Sequence, residues 1–246
     1  MQYQILRGMF ELPQCTPYWG IIAESGIWPV KYKIEYKKVM LFQNIIQSDE
    51  KRLIKEIVED QIREPYGNCW VKGIIEICSK YNISIQEVRN MSKMALKKEI
   101  KIRINDCVEK EIEEKKKVMK KLRFIEGFNK NQYLKTLGTK DAITILKTRL
   151  NMLDIKANFR GKYRDETCDL CETEEDSTEH LFNCEKLKSL LNKDTSLDAL
   201  KDPTSKLSEY INQSMMIKNC VRLGGGGLGS GNMTLSKKGK REGLSS

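Results

Sequence analysis

Cys168-Asp-Leu-Cys171 begins the most informative stretch of the chain. The stretch continues through eight residues to His180-Leu-Phe-Asn-Cys184. The spacing is C-x2-C-x8-H-x3-C. Zn²⁺ prefers four nitrogen or sulfur ligands in a tetrahedron, and three thiolates with one imidazole satisfy it. Two cysteines with two residues between them can point into one turn, and residues four positions apart share a helical face. The pattern predicts a closed, structural Zn²⁺ site at Cys168, Cys171, His180 and Cys184.

The alternative is that these residues are unrelated, because a chain with eight cysteines can contain one C-x2-C pair by chance. The complete spacing is harder to obtain by chance, and it falls in a stretch too polar to form a core. Known spacings of zinc sites favour the metal. The other cysteines show no pairing pattern and are expected to stay reduced; they are Cys15, Cys69, Cys78, Cys107 and Cys220.

The composition favours a mainly α protein whose helices have wide solvated faces. Hydrophobic residues make up 39% of the chain and charged residues 32%, so the chain is less apolar and more charged than an average domain. Five prolines and 7% aromatic residues argue against a large sheet. No apolar run reaches the roughly 20 residues that cross a bilayer, and no secretory leader is visible. We therefore expect an intracellular protein without a membrane partner.

Helical periodicity and changes in composition predict five segments. They are a helical bundle over 1–66, a basic helical linker over 67–138, a helix and the zinc lobe over 139–195, a weakly helical segment over 196–222, and a disordered Gly- and Lys-rich tail over 223–246. The tail contains a basic cluster at 237–241, which favours the nucleus over the cytoplasm.

Several helix boundaries and faces can be predicted in the first half of the chain. A short helix should end at Gly26, and the next, over 31–47, should bury Ile34, Leu41 and Ile45. Ser48 is a candidate N-cap for a further helix, which should be lined by Leu53, Ile54, Ile57, Val58 and Ile62 and stopped by Pro65.

Later boundaries follow from capping residues in the same way. Ser84 and Glu87 form a capping-box pattern, and the helix that they open should continue through Ala95 and then, with or without a break near Asn105, to about residue 123. Thr139 should cap another helix. A helix begun near Glu179 should run on to residue 191.

The net charge of +10 is concentrated in the middle of the chain. Residues 67–164 carry 24 Lys and Arg against 11 Asp and Glu, whereas residues 1–66 are neutral and residues 165–246 have a net charge of −3. A basic segment of this kind is typical of surfaces that bind polyanions. Solvated helix faces without a ligand are the alternative.

Candidate nucleic-acid contacts lie on the basic helices and just before the zinc motif. An aromatic ring beside a cation can stack on an unpaired base while the cation meets a phosphate; for Phe159, packing on the zinc lobe is the alternative. The zinc lobe itself is acidic, with no Lys or Arg from 165 to 180, and should repel phosphate. The candidate contacts are Lys97, Lys101, Lys115, Lys116, Lys117, Lys147, Arg149, Phe159, Arg160, Lys162 and Arg164.

Two stretches resemble a known family. The run Thr16-Pro17-Tyr18-Trp19 through Ile27-Trp28-Pro29, followed by basic amphipathic helices, resembles the thumb region of non-LTR retrotransposon reverse transcriptases. Lys147-Thr-Arg149-Leu150, with Asn158-Phe159 and the C-x2-C-x8-H-x3-C motif, is similar to their C-terminal CCHC knuckle. The resemblance covers about residues 5–192. It implies a piece of a retrotransposon polyprotein that, when complete, copies its RNA at a nicked target site.

The chain also departs from that family. The polymerase palm needs paired metal-binding carboxylates, and no Asp-Asp pair occurs here; Asp202-Pro203 is in the wrong order for a restriction-like endonuclease motif. We therefore expect a non-catalytic C-terminal fragment that binds RNA, DNA or both (the element transcript or the target DNA), and other parts of the retrotransposon protein are further candidate partners. Two alternatives remain open: a protein-interaction adaptor that docks through the acidic zinc lobe, and an inert remnant of the element.

Overall fold

The computed structural model describes residues 1–50, 52–64, 66–67, 69–129 and 131–223. Within these ranges the chain forms helices and no β-strand, which confirms a mainly α fold. The tail predicted over 223–246 lies, apart from its first residue, outside the described residues, as does Pro65. Among the described helices, none combines the length and the apolar composition that a bilayer-spanning helix requires.

The α-helices, in chain order, are α1 Gln2–Met9, α2 Tyr18–Ser25, α3 Val30–Ile46, α4 Leu53–Arg63, α5 Trp70–Lys80, α6 Ile85–Asn90, α7 Lys93–Val118, α8 Tyr133–Thr136, α9 Thr139–Arg149, α10 Thr178–Asn183, α11 Glu185–Leu191 and α12 Ser205–Arg222. Short 3-10 turns cover Lys120–Leu122, Lys156–Phe159 and Leu197–Leu200.

Helix α2 is buried over most of its length because its centre is apolar. Ile21, Ile22 and Ala23 have almost no exposed surface. Gly20 lets the helix approach the second half of the chain closely, since a Cβ at this position would lie 2.4 Å from Cδ2 of Leu150. The helix ends at Gly26, whose φ of 65° is the left-handed conformation that favours glycine after a helix. The predicted stop at Gly26 is confirmed.

Helix α7 is a 26-residue rod that packs against α2 and α3. One residue in every four faces the core, and Ile100, Ile104 and Val108 are fully buried. The rod continues through Asn105, whose Oδ1 accepts a hydrogen bond from Nε1 of Trp28 at 2.7 Å. It does not join α6: Met91 is extended, and Ser92 accepts from the Ala95 N–H as a new N-cap. A continuous helix through Ala95 was therefore a wrong prediction.

The predicted faces of α3 and α4 are also wrong in part. Ile34 and Leu41 on α3 are about half exposed, whereas Tyr32, Val39 and Phe42 are buried. Apolar residues occur on both sides of α3, so periodicity could not choose between the two stripes.

On α4, the expected apolar lining is largely exposed, and Val58 is the buried hydrophobic residue of the helix. The helix starts at Leu53 after Arg52. Ser48 is not its N-cap, because the Ser48 hydroxyl donates to the Ile45 carbonyl at 2.6 Å and so closes the preceding helix instead.

The last helix, α12, joins α9 to the metal-binding motif. Its residues are well packed, with Leu207, Tyr210 and Ile211 buried, although residues 196–222 were expected to be only weakly helical. Ser208 Oγ donates to Oδ1 of Asp141 on α9 at 2.9 Å. On another side, the Tyr210 hydroxyl donates to the Leu181 carbonyl of α10 at 3.1 Å. Helix α12 therefore fixes α10 relative to α9.

Candidate metal centre and basic surface

The ligand atoms of Cys168, Cys171, His180 and Cys184 lie within 4.8 Å of one another. Cys171 Sγ is 3.3 Å from Nε2 of His180. Zn–S and Zn–N bonds of about 2.3 and 2.0 Å around a tetrahedral ion place neighbouring ligand atoms about 3.5 Å apart, and the distance between Cys171 and His180 is close to this value. These four residues could hold a metal ion.

The first two cysteines are positioned by a short hairpin. Thr167 and Glu175 form an isolated antiparallel bridge, and the Cys168 N–H donates to the Glu174 carbonyl at 2.8 Å. The loop turns back at Glu172, which has a φ of 60° and donates its N–H to the Cys168 carbonyl at 2.9 Å. The turn brings both thiols to one side of the hairpin.

His180 and Cys184 come from α10 and the residue that ends it. Ser177 caps the helix by accepting from the His180 N–H at 3.1 Å. The prediction of one helix from Glu179 to residue 191 is wrong, because Cys184 has an extended ψ of 109° and separates α10 from α11. The Cys184 N–H still donates to the His180 carbonyl at 2.8 Å, which keeps the thiol beside the imidazole.

Neighbouring polar groups orient the candidate ligands. Oε2 of Glu174 lies 2.8 Å from Nδ1 of His180. An ionised carboxylate can only accept, so Nδ1 is the donor in this contact, and in a neutral imidazole the lone pair of Nε2 would then be left for a metal. An outer carboxylate of this kind is the usual partner of a metal-binding histidine.

The thiols differ in acidity. Burial opposes ionisation of Cys171, but hydrogen bonds from the side chain and backbone of Thr173 and from the backbone of Glu174 outweigh it and lower the pKa of this thiol to about 6. Burial raises the pKa of the Cys184 thiol to about 11, and the nearby Cys168 and Cys171 add to the increase. A cation in the cluster would favour the thiolate form of each cysteine.

Cations from outside the motif pair with the acidic residues around it. Lys156 Nζ lies 2.7 Å from Asp169 and 2.9 Å from Asp165. Asp176 is fully buried and pairs with Lys218 and Arg222 of α12. The metal lobe, by which we mean residues 165–184 with the four candidate ligands, is therefore less negative than its own sequence indicates, because the fold supplies counterions that residues 165–180 lack.

The candidate contacts on α7 are accessible. Lys97 and Lys101, one helical turn apart, are exposed, as are Lys115 and Lys117 near the end of the rod. None of these four forms an ion pair with another described residue. Lys116 differs, since it is partly buried and pairs with Glu113 at 2.9 Å.

Arg149 does not belong to any accessible surface. Its side chain is 1% exposed, and its Nε donates to Oε1 of Glu24 at 2.9 Å. A second nitrogen donates to the Leu200 carbonyl. The prediction that Arg149 contacts nucleic acid is therefore wrong, because the guanidinium is used inside the core. Lys147, two residues earlier, is partly exposed.

The segment before the motif has its cations largely paired. Arg160 contacts Glu166 at 3.2 Å and Glu175 at 3.1 Å, and Lys162 lies 2.7 Å from Asp154. Arg164 is exposed. The partly buried ring of Phe159 has the amines of Lys121 and Lys162 each 5.8 Å from its centroid.

Sequence reasoning missed a cleft between the end of α7 and the metal lobe. It has a volume of about 530 Å³. The basic run that follows the rod was the signal that could have revealed it. Its lining residues are Lys120, Lys121, Arg123, Asn151, Ala157, Asn158, Arg160, Glu175, Ser177 and Glu179.

Comparison of the chain with protein-family models, with curated proteins and with solved structures finds no match.

Proposed function

We propose that this chain is a non-catalytic, nucleic-acid-binding part of a non-LTR retrotransposon reverse transcriptase polyprotein, with a structural Zn²⁺ at Cys168, Cys171, His180 and Cys184. The thumb-like and knuckle-like sequence stretches support the family. The element transcript and the target DNA are the partners that such a part would meet, and its place of action is the nucleus.

The observation that carries nucleic-acid binding is the set of accessible lysines on α7. Lys97, Lys101, Lys115 and Lys117 are exposed and have no ion-pair partner among the described residues, whereas many cations near the metal lobe are already paired. Phosphates attract such free ammonium groups and release counterions on binding. Contacts to the backbone position a nucleic acid without reading its sequence, so we expect little sequence preference.

The donor set supports Zn²⁺ as the metal. Three thiolates and one imidazole suit this ion, and a four-ligand site leaves no open position for a substrate. The role of the ion is therefore to hold the hairpin against α10. The chain contains no Asp-Asp pair, so the paired-carboxylate chemistry of a polymerase palm would be supplied by another part of the polyprotein.

The adaptor hypothesis loses support from the ion pairs of the metal lobe. Its acidic groups were to be the docking surface, but Asp169 and Asp176 are directed to cations of the same chain. The free acidic surface is smaller than the sequence suggested.

Fluorescence anisotropy with a short RNA hairpin across a salt series tests the binding function. The logarithm of the affinity should fall linearly with the logarithm of the salt concentration, and Lys97→Gln with Lys101→Gln should flatten the slope by about 1.5 units if both lysines meet phosphates. A matched control is Lys37→Gln with Lys38→Gln, which removes the same charge from exposed positions on α3. Equal slopes in the two double variants, or no salt-dependent binding, would refute the proposal.

A further inference from the structure

The cleft between the end of α7 and the metal lobe has the size of a small-ligand site. Its volume of about 530 Å³ falls within the range of about 300–1,000 Å³ that such sites occupy. Part of its lining comes from Lys120, Lys121 and Arg123, just after α7, and part from two later segments that contribute Ala157, Asn158 and Arg160 and then Glu175, Ser177 and Glu179. Two parts of the chain far apart in sequence thus enclose it.

Charge is distributed unevenly around this cleft. Arg123 pairs with Glu179, and Arg160 pairs with Glu175, so these cations are already neutralised. Lys120 and Lys121 form no ion pair with another described residue. The turn at Lys120–Leu122 therefore presents two ammonium groups without an ion-pair partner among the described residues, and a phosphate group can bind such amines.

An aromatic ring lies beside the cleft, and one lining residue has an unused acceptor. Phe159 is not itself a lining residue, but it lies between the lining residues Asn158 and Arg160, and the amines of Lys121 and Lys162 are each 5.8 Å from its ring centroid. Nδ2 of Asn151 donates to the Lys121 carbonyl at 3.3 Å, which fixes the orientation of the amide. Its Oδ1 is buried and has no hydrogen-bond partner among the described residues, an unfavourable state for an acceptor.

We propose that this cleft binds one unpaired nucleotide of an RNA or DNA strand. Lys120 and Lys121 hold its phosphate, Phe159 stacks on its base, and a base N–H donates to Oδ1 of Asn151. Each base carries an N–H donor on its Watson–Crick edge, and that edge is free only when the base is unpaired. The inference rests on the proposed nucleic-acid binding and adds a preference for single strands to it.

The test measures binding of the full chain to two labelled probes at one salt concentration. The probes are a single-stranded RNA of about ten nucleotides and the duplex of the same sequence. Lys120→Gln with Lys121→Gln should lower the affinity for the single strand about tenfold and change that for the duplex less than twofold. Phe159→Leu should lower single-strand affinity about fivefold or more and leave duplex binding unchanged.

The matched control is Lys115→Gln with Lys117→Gln, which removes two charges from the rod and should weaken both probes by the same factor. The cleft proposal is overturned if the double variant at Lys120 and Lys121 weakens the binding of both probes by the same factor, or if it weakens the binding of neither probe. The proposed nucleic-acid binding would stand in both cases. If the unaltered chain binds neither probe, both proposals fail.

Discussion

Glu24 and Arg149 form the most deeply buried ion pair described in the chain, with side chains 0% and 1% exposed. Burial raises the pKa of the Glu24 carboxyl, and Arg149 and the Tyr133 hydroxyl, which donates at 2.6 Å, act against the increase. Nδ2 of Asn131 completes the shell at 3.1 Å. The pair joins α2 to α9 and is costly to break, because either group alone would be a buried charge.

Replacement of Arg149 by Met should lower the free energy of unfolding by about 3–5 kcal/mol. The Glu24 carboxylate would lose its counterion while it stays buried. Urea unfolding followed by circular dichroism measures the change, and Arg63→Met on exposed α4 is the control, with an expected effect below about 0.5 kcal/mol. A loss as small as that of the control would show that the pair contributes little. Adding Glu24→Leu to the Arg149 variant should recover part of the stability.

Replacement of His180 by Ala should release the metal. His180 is the one histidine in the chain, so no other imidazole can take its place in the cluster. Elemental analysis should find about one equivalent of zinc in the unaltered protein and a large loss in the variant. Cys220→Ser, at an exposed thiol outside the cluster, is the control and should keep its zinc. A folded, unaltered protein without metal would refute the site.

The four candidate ligands could be predicted because they are close together in the sequence. The role of Arg149 was predicted wrongly because its partner, Glu24, is far away in the sequence. Glu24 lies 125 positions away. No local pattern distinguishes an arginine that contacts phosphate from one that neutralises a buried carboxylate. The same limitation hid the counterions of Asp176, which come from α12.

At the scale of helices, a capping pattern predicted a helix start more reliably when it involved two residues, each of whose side chains bonds to the backbone of the other. The capping box of Ser84 and Glu87 is confirmed in both directions, and its two hydrogen bonds reinforce one another. The single N-cap predicted at Ser48 is wrong. The N-cap predicted at Thr139 is wrong by one residue, because Gly138 is the N-cap of α9 and Thr139 is its first helical residue. A lone serine or threonine near a boundary fits several registers, so the sequence fixes such an end only to within a few residues.

Replacement of Ser92 by Ala should lower the free energy of unfolding by about 1 kcal/mol. Its side chain accepts from the Ala95 N–H at 3.2 Å at the start of the rod. Ser48→Ala is the comparison, since that hydroxyl caps no helix N-terminus and its loss should have a smaller effect. Chemical denaturation of both variants measures the difference. An equal or larger effect at Ser48 would contradict the assignment of the caps.

Replacement of Lys218 by Met should make the metal easier to remove. Asp176 is buried beside the metal lobe, and Lys218 is one of its two counterions. Its loss should loosen the contact between α12 and the hairpin, so a chelator should extract the ion several-fold faster at the same concentration. Lys206→Met, at an exposed position of the same helix, should leave the rate unchanged. Identical rates would mean that α12 does not support the site.

At the scale of the whole molecule, the charge profile of the sequence misjudged the net charge of the metal lobe. Counting charges within a segment assumes that neighbours in sequence are neighbours in space. In the structure, the side chains of Lys156, Lys218 and Arg222 form ion pairs with the lobe carboxylates Asp169 and Asp176. The cleft was hidden for the same reason, since its walls are formed by segments that are separated in sequence.

Removal of the metal should unfold one part of the molecule and leave the rest. A chelator should expose residues 165–191 to hydrogen exchange, because metal binding supplies part of the free energy that folds this segment. The buried face of α7 should stay protected, since it packs on α2 and α3. Hydrogen exchange read by mass spectrometry, with and without chelator, separates the two regions. Loss of protection throughout the chain would contradict this division.

The pairing of Glu24 with Arg149 also bears on the order of events during synthesis. The partners are separated by 125 positions, and a ribosome adding about 5–20 residues per second needs roughly 6–25 s to cover that distance. During this interval Glu24 of α2 has been synthesised, but Arg149, its counterion in the finished fold, has not. We therefore expect the N-terminal helices to remain loosely associated, and open to chaperones, until α9 emerges.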